Sequence, residues 1–162
     1  MKKHFITCIL IMLIVFLPGC NINTAQYIRP NTKPNINYYT NEIHERLNNK
    51  EPYNIKIFDL DIYKYYNVSQ EEHSILPEFI DSLNEKNYDA EVEKELTPQY
   101  KLIIEFSDAK YIINAYNDKL VSLYPWDGIY EEDVISMEEV SDYYNLYKFC
   151  EYIKKVSNGF EG

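Results

Sequence analysis

Glycine, cysteine and histidine are scarce in this chain of 162 residues, and each shortage excludes a class of site. The four glycines lie at positions 19, 128, 159 and 162, so there is no glycine-rich loop to hold nucleotide phosphates. Only His44 and His73 lie beyond the N-terminal segment, and neither has a zinc-ligand spacing to the other or to Cys150. We therefore assign no cofactor and no metal site.

Basic residues are also few. The chain has 16 Lys and Arg against 26 Asp and Glu, a formal net charge of −10. A surface this acidic repels nucleic-acid phosphates, so no nucleic-acid partner is expected. Hydrophobic residues make up 46% of the chain and aromatic residues 15%, which is enough for a core and too much for intrinsic disorder.

No apolar run is long enough to span a membrane. The longest run covers 13 residues, Phe5–Leu17, and follows a basic start at Lys2 and Lys3. A stable span needs roughly 17–25 apolar residues, so this run fits the hydrophobic segment of a signal peptide. The run closes in Leu17-Pro18-Gly19-Cys20.

Those four residues resemble the lipobox of bacterial lipoproteins, with Leu17 at the apolar position and Gly19 at the small position before the cysteine. The resemblance implies signal cleavage between Gly19 and Cys20, and a thioether from the Cys20 sulfur to a diacylglycerol. Pro18 departs from the pattern, since that position more often holds Ala, Ser or Thr. The implied location is the outer face of the bacterial cell membrane, held by two acyl chains on Cys20, which suffice for stable anchoring.

We accordingly predict a lipoprotein signal peptide over 1–19, a lipidated cysteine with a flexible tether over 20–38, and a single extracytoplasmic domain over 39–162. The tether is rich in Asn and Pro and has no apolar period. Loss of Lys2 and Lys3 with the signal leaves a mature charge of 14 − 26 = −12. With Cys8 removed and Cys20 modified, Cys150 has no partner for an internal disulfide.

Apolar periodicity predicts an α+β fold, with an antiparallel meander of about four to five strands and two main helices packed on one face as a two-layer sandwich. Strands are expected over Tyr53–Tyr66, around Tyr88–Val92, and over the consecutive segments 100–106, 111–116 and 120–126. Short turns join the last three, so these must be antiparallel neighbours.

Two main helices are predicted on either side of the strands. The first is capped at Ser74, carries Pro77 in its first turn and runs to about Glu85. The second covers Met137–Val156, where apolar residues recur at three- and four-residue steps. A short helix capped by Thr40 is expected before the first strand.

Several residue types that often occur in binding sites lie close together in residues 124–133. This segment contains the only Trp, a Pro, a Gly and four carboxylates. The candidate binding residues of this loop are Trp126, Asp127, Tyr130, Glu131 and Asp133. They could form an aromatic-floored ligand site, or a weak calcium loop through three of the carboxylates, although the EF-hand spacing is missing. The interpretation we favour is structural: a Pro-Trp corner over the sheet edge, followed by solvated charges.

Asp59 and Asp61 are two residues apart on a predicted strand, so they could act as an acid–base pair if one of them were partly buried. The polar face of a half-exposed strand explains them more simply. Cys150 lies on the apolar stripe of the last helix, where a free cysteine behaves as a small hydrophobe.

The chain contains seventeen tyrosines, whose large rings and polar tips favour contacts with proteins, peptides or carbohydrates. Together with the missing catalytic motifs, this excess favours a non-enzymatic binding or interaction module that contacts the membrane through Cys20. Its expected partner is an envelope protein, peptide or glycan. The alternatives are an envelope hydrolase that uses the Asp59 and Asp61 carboxylates, and a calcium-responsive structural module.

Overall fold

The computed structural model describes residues 33–93 and 95–159. The predicted signal peptide, the lipobox with Gly19 and Cys20, and the tether up to residue 32 lie outside the described residues, so they stay predictions. Helix α1 (Tyr38–Asn48) comes first in the described chain.

Eight further helices and strands follow α1 in the described residues, and with it they confirm the α+β class. They are β1 (Asn54–Asp59), β2 (Lys64–Asn67), α2 (Ile75–Asp81), β3 (Tyr100–Glu105), β4 (Lys110–Asn117), β5 (Leu120–Pro125), β6 (Asp133–Ser136) and α3 (Leu146–Gly159). The strands form one antiparallel sheet in the order β2-β1-β3-β4-β5-β6. The described part thus has six strands and three α-helices, where the sequence predicted four to five strands and two main helices.

One face of the sheet carries the core. In β3, buried Tyr100, Leu102 and Ile104 alternate with the half-buried Lys101, Ile103 and Glu105. Strand pairing sets Leu102 beside Ile57 and Ile113, so neighbouring strands present apolar side chains on the same face. Ile43 of α1, Phe79 of α2 and Ile153 of α3 pack into this core, which places the three helices on that face. We call the other side of the sheet the second face.

The predicted strand Tyr53–Tyr66 is wrong, because a turn over residues 60–63 divides it into β1 and β2. The turn forms since the Asp59 carboxylate accepts hydrogen bonds from the backbone N–H groups of Asp61 (2.9 Å) and Ile62 (3.3 Å). The side chains of β1 also point to the opposite faces from those predicted. Asp59 lies on the core face with Ile57, whereas Phe58 lies on the second face.

The predicted edge strand around Tyr88–Val92 is wrong as well. A 3₁₀ turn covers Glu85–Tyr88, and Tyr88 is buried. Asn84 and Asn87 cap the turn reciprocally, each side chain accepting a backbone N–H of the turn. Charges at alternate positions here reflect an irregular exposed segment, not a strand.

The two main helices differ in how well their predicted limits hold. Helix α2 begins at Ile75, directly after the predicted cap Ser74, and ends at Asp81, before the predicted Glu85. Helix α3 begins at Leu146, not Met137, because the Asn145 side chain accepts the backbone N–H of Lys148 at 3.1 Å and so caps the helix there.

The loop predicted ahead of the last helix instead contains β6, which pairs with β5. Turns over residues 137–145 then lead to α3. The short helix expected before the first strand is present as α1, but it begins at Tyr38. Thr40 therefore lies in its first turn and is not its cap.

Candidate functional site

The five candidate residues between β5 and β6 separate into an exposed set and a buried set. Trp126 is 74% exposed, and Asp127 and Glu131 are also exposed. Tyr130 is half-buried and Asp133 is fully buried. The structure therefore does not bring the five side chains together into one site.

Asp133, the first residue of β6, binds residues at the start of the domain. One carboxylate oxygen lies 2.6 Å from the Lys33 ammonium. The other accepts hydrogen bonds from the Thr40 backbone N–H (2.7 Å) and the Thr40 hydroxyl (2.8 Å). A negative charge at the first turn of α1 satisfies an N–H group that has no helical partner and suits the helix dipole. This arrangement gives Asp133 a structural role.

Tyr130 is also held by α1. Its backbone N–H donates to the Tyr39 hydroxyl at 2.8 Å, and its ring meets that of Tyr38 edge-on at 5.1 Å between centroids. Gly128 permits this approach, since a Cβ there would lie 2.9 Å from both the Tyr39 hydroxyl and Pro125. The loop is thus a packed structure against α1.

The calcium hypothesis loses its central ligand, because Lys33 and Thr40 already occupy the carboxylate of Asp133. Within residues 33–93 and 95–159, no group of three or more His, Cys, Asp or Glu side chains converges as a metal site would require. Asp127 and Glu131 remain as exposed carboxylates of the loop.

Trp126 and Asp127 border an open cleft of about 720 Å³ at the end of the sheet where β1 and β4 begin. Its other charged side chains, Glu105, Asp108 and Lys110, pair with one another or with neighbours. Glu105 lies 2.8 Å from Lys56 and 2.9 Å from Lys110, and the hydrogen bond from Lys56 is the main cause that lowers the Glu105 pKa. Carboxylates paired in this way are poor acid–base catalysts at neutral pH.

Asp59 and Asp61 do not share a strand face. Asp59 is fully buried, and its second oxygen lies 2.6 Å from the Lys154 ammonium of α3. Asp61 is exposed in the turn, where it accepts a hydrogen bond from Gln99 at 3.0 Å. The two carboxylates therefore do not form the pair that the hydrolase alternative requires. The favoured interpretation, a polar strand face, is wrong for Asp59, because that side chain belongs to the core.

The end of β1, the turn and β2 carry a group of exposed and half-buried apolar side chains that the sequence did not predict. We call Phe58, Ile62, Tyr63 and Tyr65 the aromatic patch. Tyr63 is 78% exposed, Tyr65 is 60% exposed, and Ile62 is also exposed. Phe58 lies between the two tyrosines, with ring centroids 4.5 Å from Tyr65 and 6.1 Å from Tyr63. The signal in the sequence was the run of tyrosines at 63, 65 and 66. Tyr63 and Tyr65 are exposed because of the unforeseen turn, whereas Tyr66 is buried in the core.

Cys150 lies in α3 and is fully buried, as its place on the apolar stripe predicts. Burial raises the pKa of its thiol well above the usual value, so the side chain stays protonated. It packs as a small apolar residue.

Comparison with known proteins adds a family and a related structure. A family model described as "Domain of unknown function (DUF4883)" matches residues 33–150. The fold is similar to a crystal structure described as a "putative lipoprotein from Clostridium perfringens", with a TM-score of 0.69 and 31% sequence identity over 76% of this chain and 99% of that one. The search of curated proteins found no match.

None of the helices in the described residues is long and apolar enough to cross a membrane. The family match begins at Lys33, the residue whose ammonium pairs with buried Asp133. Since the match covers well over half of the sequence, the chain belongs to the family described as Domain of unknown function (DUF4883).

Proposed function

We propose that this protein is a lipid-anchored lipoprotein of the bacterial envelope, and that its domain binds a partner protein without catalysing a reaction. The lipobox-like residues Leu17–Cys20 and the lipoprotein description of the similar Clostridium perfringens structure support the anchor. The exposed aromatic patch supports the binding role.

The exposure of Ile62, Tyr63 and Tyr65 is the observation that carries the binding proposal. Large aromatic side chains dominate the binding energy of protein interfaces, because they bury much apolar area at a small cost in side-chain entropy. Here the rings of Tyr63 and Tyr65 both lie against Phe58, so that one partner surface can cover them together. Partner contact would remove apolar surface that water now covers.

The aromatic patch is also held rigid before any partner arrives. Asp59 binds two backbone N–H groups of the turn, and Gln99 binds Asp61 from the neighbouring strand end. Tyr63 has a φ of 54°, a left-handed conformation that costs a non-glycine residue about 1 kcal/mol or more. The turn therefore holds Tyr63 in one backbone conformation, which lowers the entropy cost of binding a partner.

The described carboxylates give less support to a hydrolase. Asp59 and Asp133 are fully buried, and each pairs with a lysine. Asp59 also accepts two backbone N–H groups, and Asp133 accepts the backbone N–H and the hydroxyl of Thr40. Such partners hold both carboxylates in one structural arrangement, away from the surface where a substrate would bind. We therefore propose a binding role and not a catalytic one.

The anchor is tested by labelling cells with radioactive palmitate. We expect label on the wild-type chain, and none on Cys20→Ser, which should accumulate as uncleaved precursor or escape into the medium. An unlabelled wild-type chain would refute the anchor.

The binding role is tested by placing a photo-crosslinking amino acid at position 65 of the full-length protein in its native envelope. The matched control is position 143, whose tyrosine is 88% exposed but lies outside the aromatic patch. We expect a specific adduct at 65 only. Tyr63→Ser/Tyr65→Ser should lower the affinity for the identified partner at least tenfold, whereas Tyr143→Ser should leave that affinity unchanged. Equal adducts at both positions, or unchanged affinity, would refute the role of the aromatic patch.

A further inference from the structure

We infer that the loop of residues 126–132, between β5 and β6, docks on the outer leaflet of the membrane that holds Cys20. We call it the membrane loop. This inference rests on the proposed lipid anchor and adds an orientation to it: the membrane loop lies against the bilayer, while the aromatic patch faces away from it.

The first support is the place where the chain reaches the domain. Lys33 lies 2.6 Å from Asp133 and donates a hydrogen bond to the Glu132 carbonyl at 3.0 Å, so the chain joins the domain beside the membrane loop. Thirteen residue steps separate Cys20 from Lys33, a reach of at most about 45 Å. Anchoring at Cys20 therefore keeps the membrane loop close to the lipid surface, at an effective concentration on the order of millimolar.

The second support is the chemistry of the loop surface. Trp126 is 74% exposed and Ile129 is 67% exposed, and Ile36, close to Lys33 in the chain, is also exposed. Tryptophan favours the interface between water and lipid, because its ring is apolar and its indole N–H can still reach a polar partner. Apolar side chains at this position lower the free energy when they leave water and enter the headgroup region.

The third support is that the loop is shaped before docking. Tyr39 binds the backbone of Tyr130, and Gly128 lets the loop lie directly on the Tyr39 hydroxyl and Pro125. A loop held in this way presents Trp126 and Ile129 without a large entropy cost on docking.

The fourth support is the position of the aromatic patch. The membrane loop follows β5, and the end of β5 lies beside the start of β4 and the end of β3. The turn of the aromatic patch follows β1, whose end lies beside the start of β3, at the other end of the sheet. The two also lie toward opposite edges, since β2 and β6 are the outermost strands. A domain that rests on the membrane loop therefore turns the aromatic patch toward the space outside the cell.

Charge sets the lipid preference of the docked state. Asp127 and Glu131 are exposed in the membrane loop, and their carboxylates repel anionic headgroups. We therefore expect docking on zwitterionic lipid to be stronger than on anionic lipid at low salt, and added salt to reduce the difference.

The test uses the only tryptophan of the chain as its reporter, so the wild-type protein needs no substitution. The lipidated full chain is reconstituted into phosphatidylcholine vesicles whose acyl chains carry bromine close to the headgroup. We expect Trp126 emission to move to shorter wavelength and to lose at least half of its intensity relative to unbrominated vesicles. Ile129→Glu should reduce this quenching at least twofold, and replacing phosphatidylcholine by phosphatidylglycerol at low salt should also reduce it.

The matched control moves the reporter to the far end of the sheet. In Trp126→Phe/Tyr143→Trp the indole lies close to Asn145, whose side chain binds the Asp118 carbonyl in the turn between β4 and β5. We expect at most about a fifth of the wild-type quenching there. Mass spectrometry establishes whether the protein is diacylated. If it is, quenching as weak at position 126 as at 143 refutes the docking but not the lipid anchor. An unmodified Cys20 overturns both, and quenching that rises with phosphatidylglycerol content overturns docking through this acidic loop.

Discussion

Lys50 is held in a backbone conformation that suits glycine better than lysine. Its φ is 57°, and the backbone N–H groups of Lys50 and Glu51 close the end of α1 on the carbonyls of Leu47 and Arg46. This geometry is the usual end of a helix, where glycine avoids the steric cost of a side chain in the left-handed region. The side chain of Lys50 is exposed and buries little surface that would offset this cost.

We predict that Lys50→Gly increases the free energy of unfolding by about 0.5–1 kcal/mol, which urea denaturation can measure. Lys50→Ala is the matched control, since it removes the same side chain but keeps a Cβ. It should give no gain. Equal stabilisation by both substitutions would attribute the effect to loss of the lysine charge and not to the backbone.

Buried acids are the residues that sequence reasoning misjudged most. Alternation of polar and apolar residues placed Asp59 on a solvent-exposed face and Asp133 among solvated charges. Both are fully buried, and each is neutralised by a lysine distant in sequence, Lys154 or Lys33. A single sequence gives no sign of which lysine will reach which carboxylate, because that pairing depends on how α3 and the N-terminal segment pack on the sheet.

At the scale of elements, an ion pair at the edge of its buried face joins α3 to β1. The Lys154 ammonium lies 2.6 Å from buried Asp59, whose hydrogen bond is the main cause that raises the Lys154 pKa. Loss of the lysine would leave a buried carboxylate without its counter-charge, at a cost of about 3–5 kcal/mol. Cys150, one turn away in the same helix, is fully buried and reports any opening of α3.

We predict that the thiol of Cys150 resists Ellman's reagent in the folded lipidated protein, and that Lys154→Ala speeds its reaction on the order of a hundredfold, as about 3 kcal/mol of lost stability requires. The matched control is Lys155→Ala, which changes the exposed neighbouring lysine and should leave the rate unchanged. The double variant Asp59→Asn/Lys154→Met should recover much of the protection, because it removes both charges together. Fast reaction in the wild type would contradict the packing of α3.

The elements that could be predicted were those with strong local signals. Strand β3 alternates buried and half-buried residues, while β4 and β5 are short runs rich in apolar residues. Short turns join the three strands, so both their existence and their antiparallel order follow from the sequence. The start of α3 did not follow, because its cap Asn145 is also fixed by a hydrogen bond to Asp118, 27 residues earlier. Apolar spacing continues before Asn145 in residues that form turns and add to the core.

At the scale of the molecule, the candidate surfaces depend on tertiary structure more than on motifs. Trp126 and Asp127 were foreseen as candidate binding residues of a loop, and in the structure both side chains are exposed. The aromatic patch was not foreseen, since the turn at residues 60–63 determines which side chains leave the core. The sequence therefore indicated the residue types available for binding, while the topology determined where they are displayed.

Buried tyrosines make the whole fold sensitive to alkali. Burial raises the pKa of Tyr39, Tyr53, Tyr111 and Tyr147, and it raises the pKa of Tyr100 to about 12. An unfolded chain ionises its tyrosines near pH 10. Because the folded state holds these protons more tightly, their stabilising contribution is complete below pH 10 and is lost as the pH rises from 10 through 12.

We predict that the free energy of unfolding falls steeply between pH 10 and 12, and that absorbance of buried tyrosinate at 295 nm rises together with the loss of circular dichroism. Tyr100→Phe removes a shift worth on the order of 2–3 kcal/mol at the upper end of this range, so its alkaline midpoint should move to higher pH. Tyr143→Phe removes an exposed tyrosine and should leave the midpoint in place, although the rising negative charge acts on both variants alike. Complete tyrosine ionisation by pH 11 with an unchanged dichroism spectrum would contradict the prediction, because it would show that the buried rings titrate without the fold opening.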